Sequence, residues 1–341
     1  MYIRLAYSKE SETISFAASE LKYYLSKITN SIVFVNDSTA HHPSTITLEL
    51  FPDSQKHSDT DDEYHIEISK GTGHIYGSNS RSVLLGIYKY LTLLGCRFLR
   101  PGKDYEYIPK LSSIEEFDIS CHEKAENKYR GVCIEGADCP ENIFEFIDWL
   151  PKLGFNTFFL QFELPFAFLN LWYSHKNNPF LPAEDFSLEK AAEISLLIDK
   201  ELQKRSLKHH RVGHGWTCSV LNQNTLGWVV TDNTLDKSQL PLTALVDGKR
   251  GFFGGIPINT NLCYSNPDVV ENFAQKVAAY AEQHLEVDYL HVWLADASNN
   301  HCECENCQKA IPTDLYVRIL NKIDALLTEK GLKTKIVFLI Y

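Results

Sequence analysis

The chain has 341 residues, 44% hydrophobic and 23% charged, with a formal net charge of −11. That length suits two domains, or one large barrel with an added module, and the acidic balance argues against nucleic acid as the main partner, because phosphate binding needs a basic footprint. No run approaches the roughly 20 apolar residues of a membrane span, and the opening MYIRLAYSKESET lacks the apolar core of a signal peptide, so a cytoplasmic protein with no membrane partner is expected.

Residues 2–7 alternate as a strand, and a helix is expected over 15–28, where Leu21, Tyr24, Leu25 and Ile28 share one face. Strands follow at 32–35 and 45–50, then a polar loop at 52–62 and a further alternating run at 64–68. Gly71 to Gly73 turn the chain into a strand at 74–76. Asn79 or Ser80 can cap a long helix that buries Val83, Leu84, Ile87, Tyr88, Leu91 and Leu94, and Gly95 ends it. The order β-α-β-β-β-β-α describes a compact α+β module ending near residue 110.

From about Lys128 the rhythm changes. A strand at 129–134 leads to a helix at 142–153, closed by Gly154, and to an almost wholly apolar strand at 157–162. A helix at 188–205, a strand at 208–213 and a Gly-, Asn- and Asp-rich insertion over 214–261 come next. Asn266-Pro267 opens a helix through His284; a strand at 289–294, a helix at 313–330 and a strand at 335–340 complete the chain. An apolar run such as 157–162 suits a parallel strand buried on both faces, and repeated βα units imply a parallel sheet.

A closed barrel needs eight strands, and this count reaches the fifth. The barrel is incomplete, the sheet is open, or the chain is a piece of a longer protein. The last is favoured, because an exposed IVFLIY edge would invite aggregation. The expected fold is therefore α/β. A small α+β domain over 1–124 precedes a (β/α) TIM-type barrel over 125–341 that holds strands one to five and is incomplete at its C-terminus.

Several segments resemble known families. DEYHIEISKGTGHIYGSNSRSVLLGIYKYLTLLGCRFLRPGKDYEYIP, residues 62–109, is similar to the N-terminal domain that precedes the barrel in α-glucuronidases and β-N-acetylhexosaminidases. YRGVCIEGADCPENIFEFIDWLPKLGFNTFFLQFE, residues 129–163, is similar to the first two strands of hexosaminidase-type barrels. NLCYSNPDVVENF at 261–273 and VWLADASNNHCECENC at 292–307 resemble an uncharacterised bacterial family of glycoside-hydrolase-like barrel proteins. The resemblance implies a carbohydrate substrate. It departs from the hexosaminidase pattern in one respect: Asp296 is followed by Ala297 where those enzymes have an adjacent Asp-Glu pair.

Glycoside hydrolysis needs two carboxyl groups, and barrel enzymes place them at C-terminal strand ends. Three acids meet that test: Glu135 after the first expected strand, Glu163 after the second and Asp296 after the fourth. Asp296 is the candidate general acid, since desolvation at the end of an apolar strand would raise its pKa. Glu163 is the candidate base or sugar-hydroxyl ligand. His210, His214 and Trp216, in HHRVGHGW, would lie near the mouth, and Trp216 or Trp293 could stack on a sugar ring; packing beneath the long loop is the plainer role. Arg130, Arg211 and Arg250 could meet a uronate, and His209, His210, Arg211, Lys249 and Arg250 could line a local basic pocket; solvated loop charge is the alternative for each.

Nine cysteines without a framework pattern read as reduced thiols. Cys302, Cys304 and Cys307, in HCECENC, admit two readings: three ligands of a structural zinc, the fourth from His301, Cys263 or Cys218, or free thiols in a tight loop. No cofactor is required for the expected chemistry. The expected function is removal of a terminal sugar or uronic acid from a glycan by carboxylate acid/base catalysis. The alternative is a non-catalytic carbohydrate-binding protein or an inactive barrel fragment.

Overall fold

The structure, a computed structural model, describes residues 3–8, 11–29, 33–35 and 44–340. Residues 2 and 32, which open two of the expected strands, lie outside the described residues. Two compact units are present: residues 1–132, 140–158 and 197–207 form one, and residues 133–139, 159–196 and 208–341 the other.

The first unit is built on a six-stranded sheet. Its elements are β1 (Ile3–Tyr7), α1 (Glu12–Thr29), β2 (Val33–Val35), β3 (Thr45–Leu50), β4 (Glu63–Ser69), β5 (Thr72–Gly77), α2 (Ser80–Leu93), the short pair β6 (Arg97–Phe98) and β7 (Glu106–Tyr107), β8 (Ile119–Lys124) and α3 (Pro140–Trp149). The strand order is β2-β1-β3-β5-β4-β8. β1, β3 and β5 run parallel, and β4 pairs antiparallel with both β5 and β8. Strand residues Leu5, Ile46, Ile66 and Ile75 share one core with Leu21 and Tyr24 of α1 and Leu84, Ile87 and Tyr88 of α2. Asn79 caps α2 as expected, its side chain accepting from the Ser82 amide at 2.8 Å.

A buried ionic hub locks this unit. Asp62, 1% exposed, accepts from Arg81 Nε at 2.9 Å, Arg130 Nη2 at 2.6 Å and Asn156 Nδ2 at 2.7 Å. Burial alone would raise the pKa of Asp62; the Arg81 and Arg130 guanidiniums overrule it and hold the carboxyl below its ordinary value. A second cluster joins Lys152 to Glu106 and Asp148, each at 2.6 Å, and Asp148 to Arg205 at 2.8 Å.

The remaining strands, β9 (Gly131–Ile134), β10 (Thr157–Gln161), β11 (Lys208–Gly213), β12 (Tyr289–Val292) and β13 (Lys335–Val337), form a five-stranded sheet in the order β13-β12-β11-β10-β9. β11, β12 and β13 are parallel. Among the described residues β9 and β13 are its edges, and no closed eight-stranded barrel is formed. The helices are α4 (Phe166–Tyr173), α5 (Leu188–Lys204), α6 (Trp216–Val220), α7 (Pro267–Gln283) and α8 (Pro312–Glu329). Leu290 and Val292 of β12 pack with Val269, Phe273 and Val277 of α7 and Ile319 and Ile323 of α8. No described helix is long and apolar enough to cross a membrane.

Three differences from the expected elements bear on function. The strand expected at 289–294 stops at Val292, and the one expected at 335–340 stops at Val337. The segment 214–261 contains α6 and is tied down: Ala244 donates to the Asn261 carbonyl and Cys263 to the Leu242 carbonyl, both at 2.8 Å.

Candidate functional site

Consecutive strands of the five-stranded sheet end in strained backbone. Phe162, just past β10, has φ 77°, and Val212, in the last turn of β11, has φ 71°. Ala297, in the segment after β12, has φ 89°. Left-handed backbone at a β-branched or bulky residue costs energy and persists only where its surroundings over-determine it; such residues gather at functional sites. Gly213, at φ 90°, tolerates the same region, and a Cβ there would lie 3.1 Å from both Gln161 and Trp293. The backbone of β11 is thereby kept flush against the residues that line the mouth.

His214 stands at the centre of these tips. Its ring is buried, with Nδ1 2.9 Å from the Leu294 carbonyl and Nε2 3.7 Å from Asp296 Oδ2. Burial lowers its pKa below the usual imidazole value, against the upward pull of the Leu294 carbonyl and of the Asp296 and Glu135 carboxylates. A neutral ring whose Nδ1–H is donated to Leu294 presents an unprotonated Nε2 to Asp296. Two of the three expected acids, Asp296 and Glu135, thus act on one imidazole. Glu163 is exposed beyond the turned backbone of Phe162, and no hydrogen bond or ion pair recorded among the described residues brings it to this group.

Two asparagines fix the segment that carries Asp296. Asn261 Oδ1 accepts from the Ala295 amide at 3.2 Å and from the Tyr264 hydroxyl at 2.8 Å, while its Nδ2 donates to the Asn300 carbonyl. Asn300 Nδ2 donates to the carbonyls of Asp296 at 2.6 Å and Asn259 at 2.5 Å. Neither asparagine stood out in the sequence, although Asn261 opens the NLCYSNPDVV motif. Asp296 itself is not desolvated as expected: its side chain is 44% exposed, because the strand ends four residues before it.

One face of the sheet collects rings. His210 Nδ1 and His291 Nε2 lie 2.8 Å apart, Phe159 stacks on His291 at 4.0 Å, and Trp293 meets His291, Phe159 and His214 edge to face. Burial lowers the pKa of His210 to about 4 and of His291 to about 3. Trp293 Nε1, His291 Nδ1 and Gln161 Oε1 are buried without a hydrogen-bond partner among the described residues. A cavity of about 460 Å³ opens beside them, lined by His214, Asn261, Trp293, Asn300, His301 and Tyr316 among others. Asp296 is outside that lining; it meets the cavity through His214.

Other expected site residues are placed elsewhere. Arg130 belongs to the first unit, with Nη2 bound to Asp62 and Nε to the Gly154 carbonyl. Trp216 is 3% exposed, its Nε1 donating to the His291 carbonyl and its ring edge-on to Tyr280, so it is core and not a stacking platform. Arg211 is buried on Ser195 Oγ at 2.7 Å and His209 Nε2 at 3.0 Å, and Arg250 donates to the Thr243 carbonyl. Each of these guanidiniums thus has a protein partner already.

Cys302, Cys304 and Cys307 do come together, and Cys263 joins them: all four sulfurs lie within 4.8 Å of one another. Of the other candidate fourth ligands, His301 lines the cavity and Cys218 packs with Phe162 and Phe168. Glu63, His65 and His122 make a second, more exposed group in the first unit, but Glu63 is already engaged there by His122 at 2.9 Å and Lys124 at 3.3 Å.

Residues 102–334 match a family described as a domain of unknown function (DUF4838). No curated protein matches the chain. Among solved structures, a GH138 enzyme targeting pectin rhamnogalacturonan II is 16% identical, with a TM-score of 0.55, over 97% of this chain and 43% of its own. Flavobacterium johnsoniae chitobiase is 12% identical, with a TM-score of 0.54, over 98% of this chain and 48% of its own. A family 89 glycoside hydrolase from Clostridium perfringens is 13% identical, with a TM-score of 0.56, over 97% of this chain and 37% of its own. The likeness is one of fold, and this chain spans less than half the length of each of the three.

Proposed function

We propose that this chain, which belongs to the DUF4838 family, is a glycoside-hydrolase-like protein whose five-stranded sheet supplies strands one to five of a (β/α) TIM-type barrel. In this reading residues 1–124 are the preceding α+β domain and residues 125–341 the barrel. The substrate is a terminal sugar or uronic acid of a glycan. The nine cysteines form no disulfide among the described residues, which suits a cytoplasmic site of action.

The observation that carries the reading is the Asp296 carboxylate set 3.7 Å from the Nε2 of the buried His214, with Glu135 near enough to act on the same ring by its charge. Asp296 donates a proton to the leaving glycosidic oxygen, and Glu135 takes the part of the second carboxylate. His214 is a positioning residue: its unprotonated Nε2 faces Asp296 and can hold the acid's proton in reach, which replaces the desolvation that the half-exposed Asp296 lacks. Trp293 supplies part of its ring at the cavity wall, suited to the apolar face of a sugar.

The test is turnover of a panel of aryl glycosides and glucuronides by wild type, Asp296→Asn, Glu135→Gln and Glu163→Gln. Loss of Asp296 should cost about 10²–10⁴-fold in kcat, with Glu163→Gln close to wild type. Equal turnover by wild type and Asp296→Asn removes Asp296 from the mechanism. The exposure of Asp296 favours a second reading, a non-catalytic carbohydrate-binding protein. Glycan binding that survives Asp296→Asn and falls in Trp293→Ala, without hydrolysis of any substrate, would select it.

A further inference from the structure

The geometry points to a four-thiolate zinc site formed by Cys263, Cys302, Cys304 and Cys307, which fastens the segment before α7 to the segment that carries Asp296. The inference does not depend on the glycosidase reading.

The spacing of the sulfurs is the first argument. Cys263 Sγ lies 3.6 Å from Cys304 Sγ and 3.9 Å from Cys307 Sγ. A disulfide needs about 2.05 Å, so these atoms are not paired. Tetrahedral zinc with Zn–S bonds of about 2.3 Å sets its sulfurs about 3.8 Å apart. The four sulfurs come from two stretches of chain separated by α7 and β12, so the cluster is a tertiary construction and not a by-product of one tight turn.

The surroundings are those of a thiolate centre. The Leu245 amide donates to Cys302 Sγ at 3.3 Å, and the Ser265 hydroxyl lies 3.1 Å from Cys307 Sγ and 3.7 Å from Cys304 Sγ. The Arg250 guanidinium, held on the Thr243 carbonyl, lies within electrostatic range of Cys263, Cys302 and Cys304 and offsets part of the net negative charge that four thiolates leave on a divalent ion. Donors of this kind orient metal ligands and hold them ionised. Three of the four cysteines are buried, so the ligand set is closed, as in structural and not catalytic zinc.

What the ion would hold is also defined. Cys263 follows Asn261 by two residues, and Cys302 follows Asn300 by two. Those asparagines bind each other's segment and the carbonyl of Asp296. A zinc ion linking Cys263 to Cys302, Cys304 and Cys307 therefore clamps the same two segments a few residues further on.

The test is metal analysis of the full chain, purified under reductant from zinc-supplemented cells. About one zinc per chain is expected. It should fall about tenfold or more in Cys263→Ser and in Cys304→Ser, and persist in Cys133→Ser, which alters an exposed thiol remote from the cluster in sequence. Should the ligand variants fail to fold, the wild type still decides: a mercurial titration must release zinc, read with a chromogenic chelator, as the cluster thiols are consumed. Zinc below about a tenth of an equivalent in such material overturns the site. Iron at about one equivalent, a metal that tetrahedral sulfur also accepts, overturns the assignment to zinc. Retention of zinc by a folded Cys263→Ser variant overturns the ligand set.

Discussion

Asp62→Ala tests the account of the first unit most directly. Asp62 is the one carboxylate shared by Arg81 and Arg130, and both Asp62 and Arg81 are 1% exposed. Arg81 keeps its bonds to the Ser206 carbonyl at 2.8 Å and the Asp59 carbonyl at 2.7 Å, but these are neutral acceptors. Removing the anion leaves a buried guanidinium without a counter-charge, which costs about 3–5 kcal/mol. At about 1.4 kcal/mol per tenfold, that is roughly a thousandfold increase in the population of the opened unit. The assay is hydrogen exchange of β4 and α2 amides, run beside Asp53→Ala, whose carboxylate is 53% exposed and only 3.8 Å from Lys56, and which should change stability by no more than about 0.5 kcal/mol. The effect is also pH-dependent. Because the folded carboxyl lies below its ordinary 3.8, its contribution is present above that value and is lost as the pH falls through the lower folded one. A loss in Asp62→Ala no greater than in Asp53→Ala would refute the hub, and so would an apolar Asp62→Leu/Arg81→Met double replacement that is as damaging as Asp62→Ala alone.

Two further outcomes follow from the second unit. His210 and His291 are held neutral by burial, with folded pKa values of about 4 and about 3 against 6.5 when unfolded, so the unfolded chain binds more protons between those limits. Their contribution is intact above pH 6.5 and is lost as the pH falls toward 4 and then 3, at up to about 1.4 kcal/mol per pH unit for each; urea midpoints measured from pH 8 to 4 should show it, and His291→Phe should flatten the slope. Asn300→Ala removes the donor that holds the carbonyls of Asp296 and Asn259, two bonds worth about 1 kcal/mol each. Exchange of the 294–301 amides should rise about tenfold or more, and unchanged protection there would show that the asparagine does not fix the segment.

Where a local pattern determines structure, the sequence could be read closely. The apolar stripe of α2 begins at a capping asparagine, and β10, apolar but for its two ends, is buried along its whole length. β8 is not legible in the sequence because ISCHEK is a charged edge strand whose alternation is carried by little more than Ile119 and Cys121. α4, FAFLNLWY, has a single polar residue and so shows no helical period at all. Arg130 and Trp216 sat at positions suited to a site, yet Asp62 claims one and the core beneath α7 claims the other. Those partners are 68 and 64 residues away, and nothing local to Arg130 or Trp216 announces them. Cys263 was one of three equal candidates beside HCECENC, and only the path of α7 and β12 distinguishes it from His301 and Cys218.

Asp296 shows how the same limit reaches the chemistry. An acid after an apolar run suggests a strand tip and a desolvated carboxyl. The pairing with β11 instead ends at the Trp293 amide, which donates to the Gly213 carbonyl, and the Ala295 amide is taken by Asn261 Oδ1 rather than by a neighbouring strand. The segment swings out, Ala297 enters left-handed backbone, and the carboxylate stands half in solvent beside a buried imidazole. The Nε2 that faces it belongs to His214, whose tautomer is set by the Leu294 carbonyl. The residues that place Asp296 are thus the ring facing it and the asparagines that bend the chain to meet that ring.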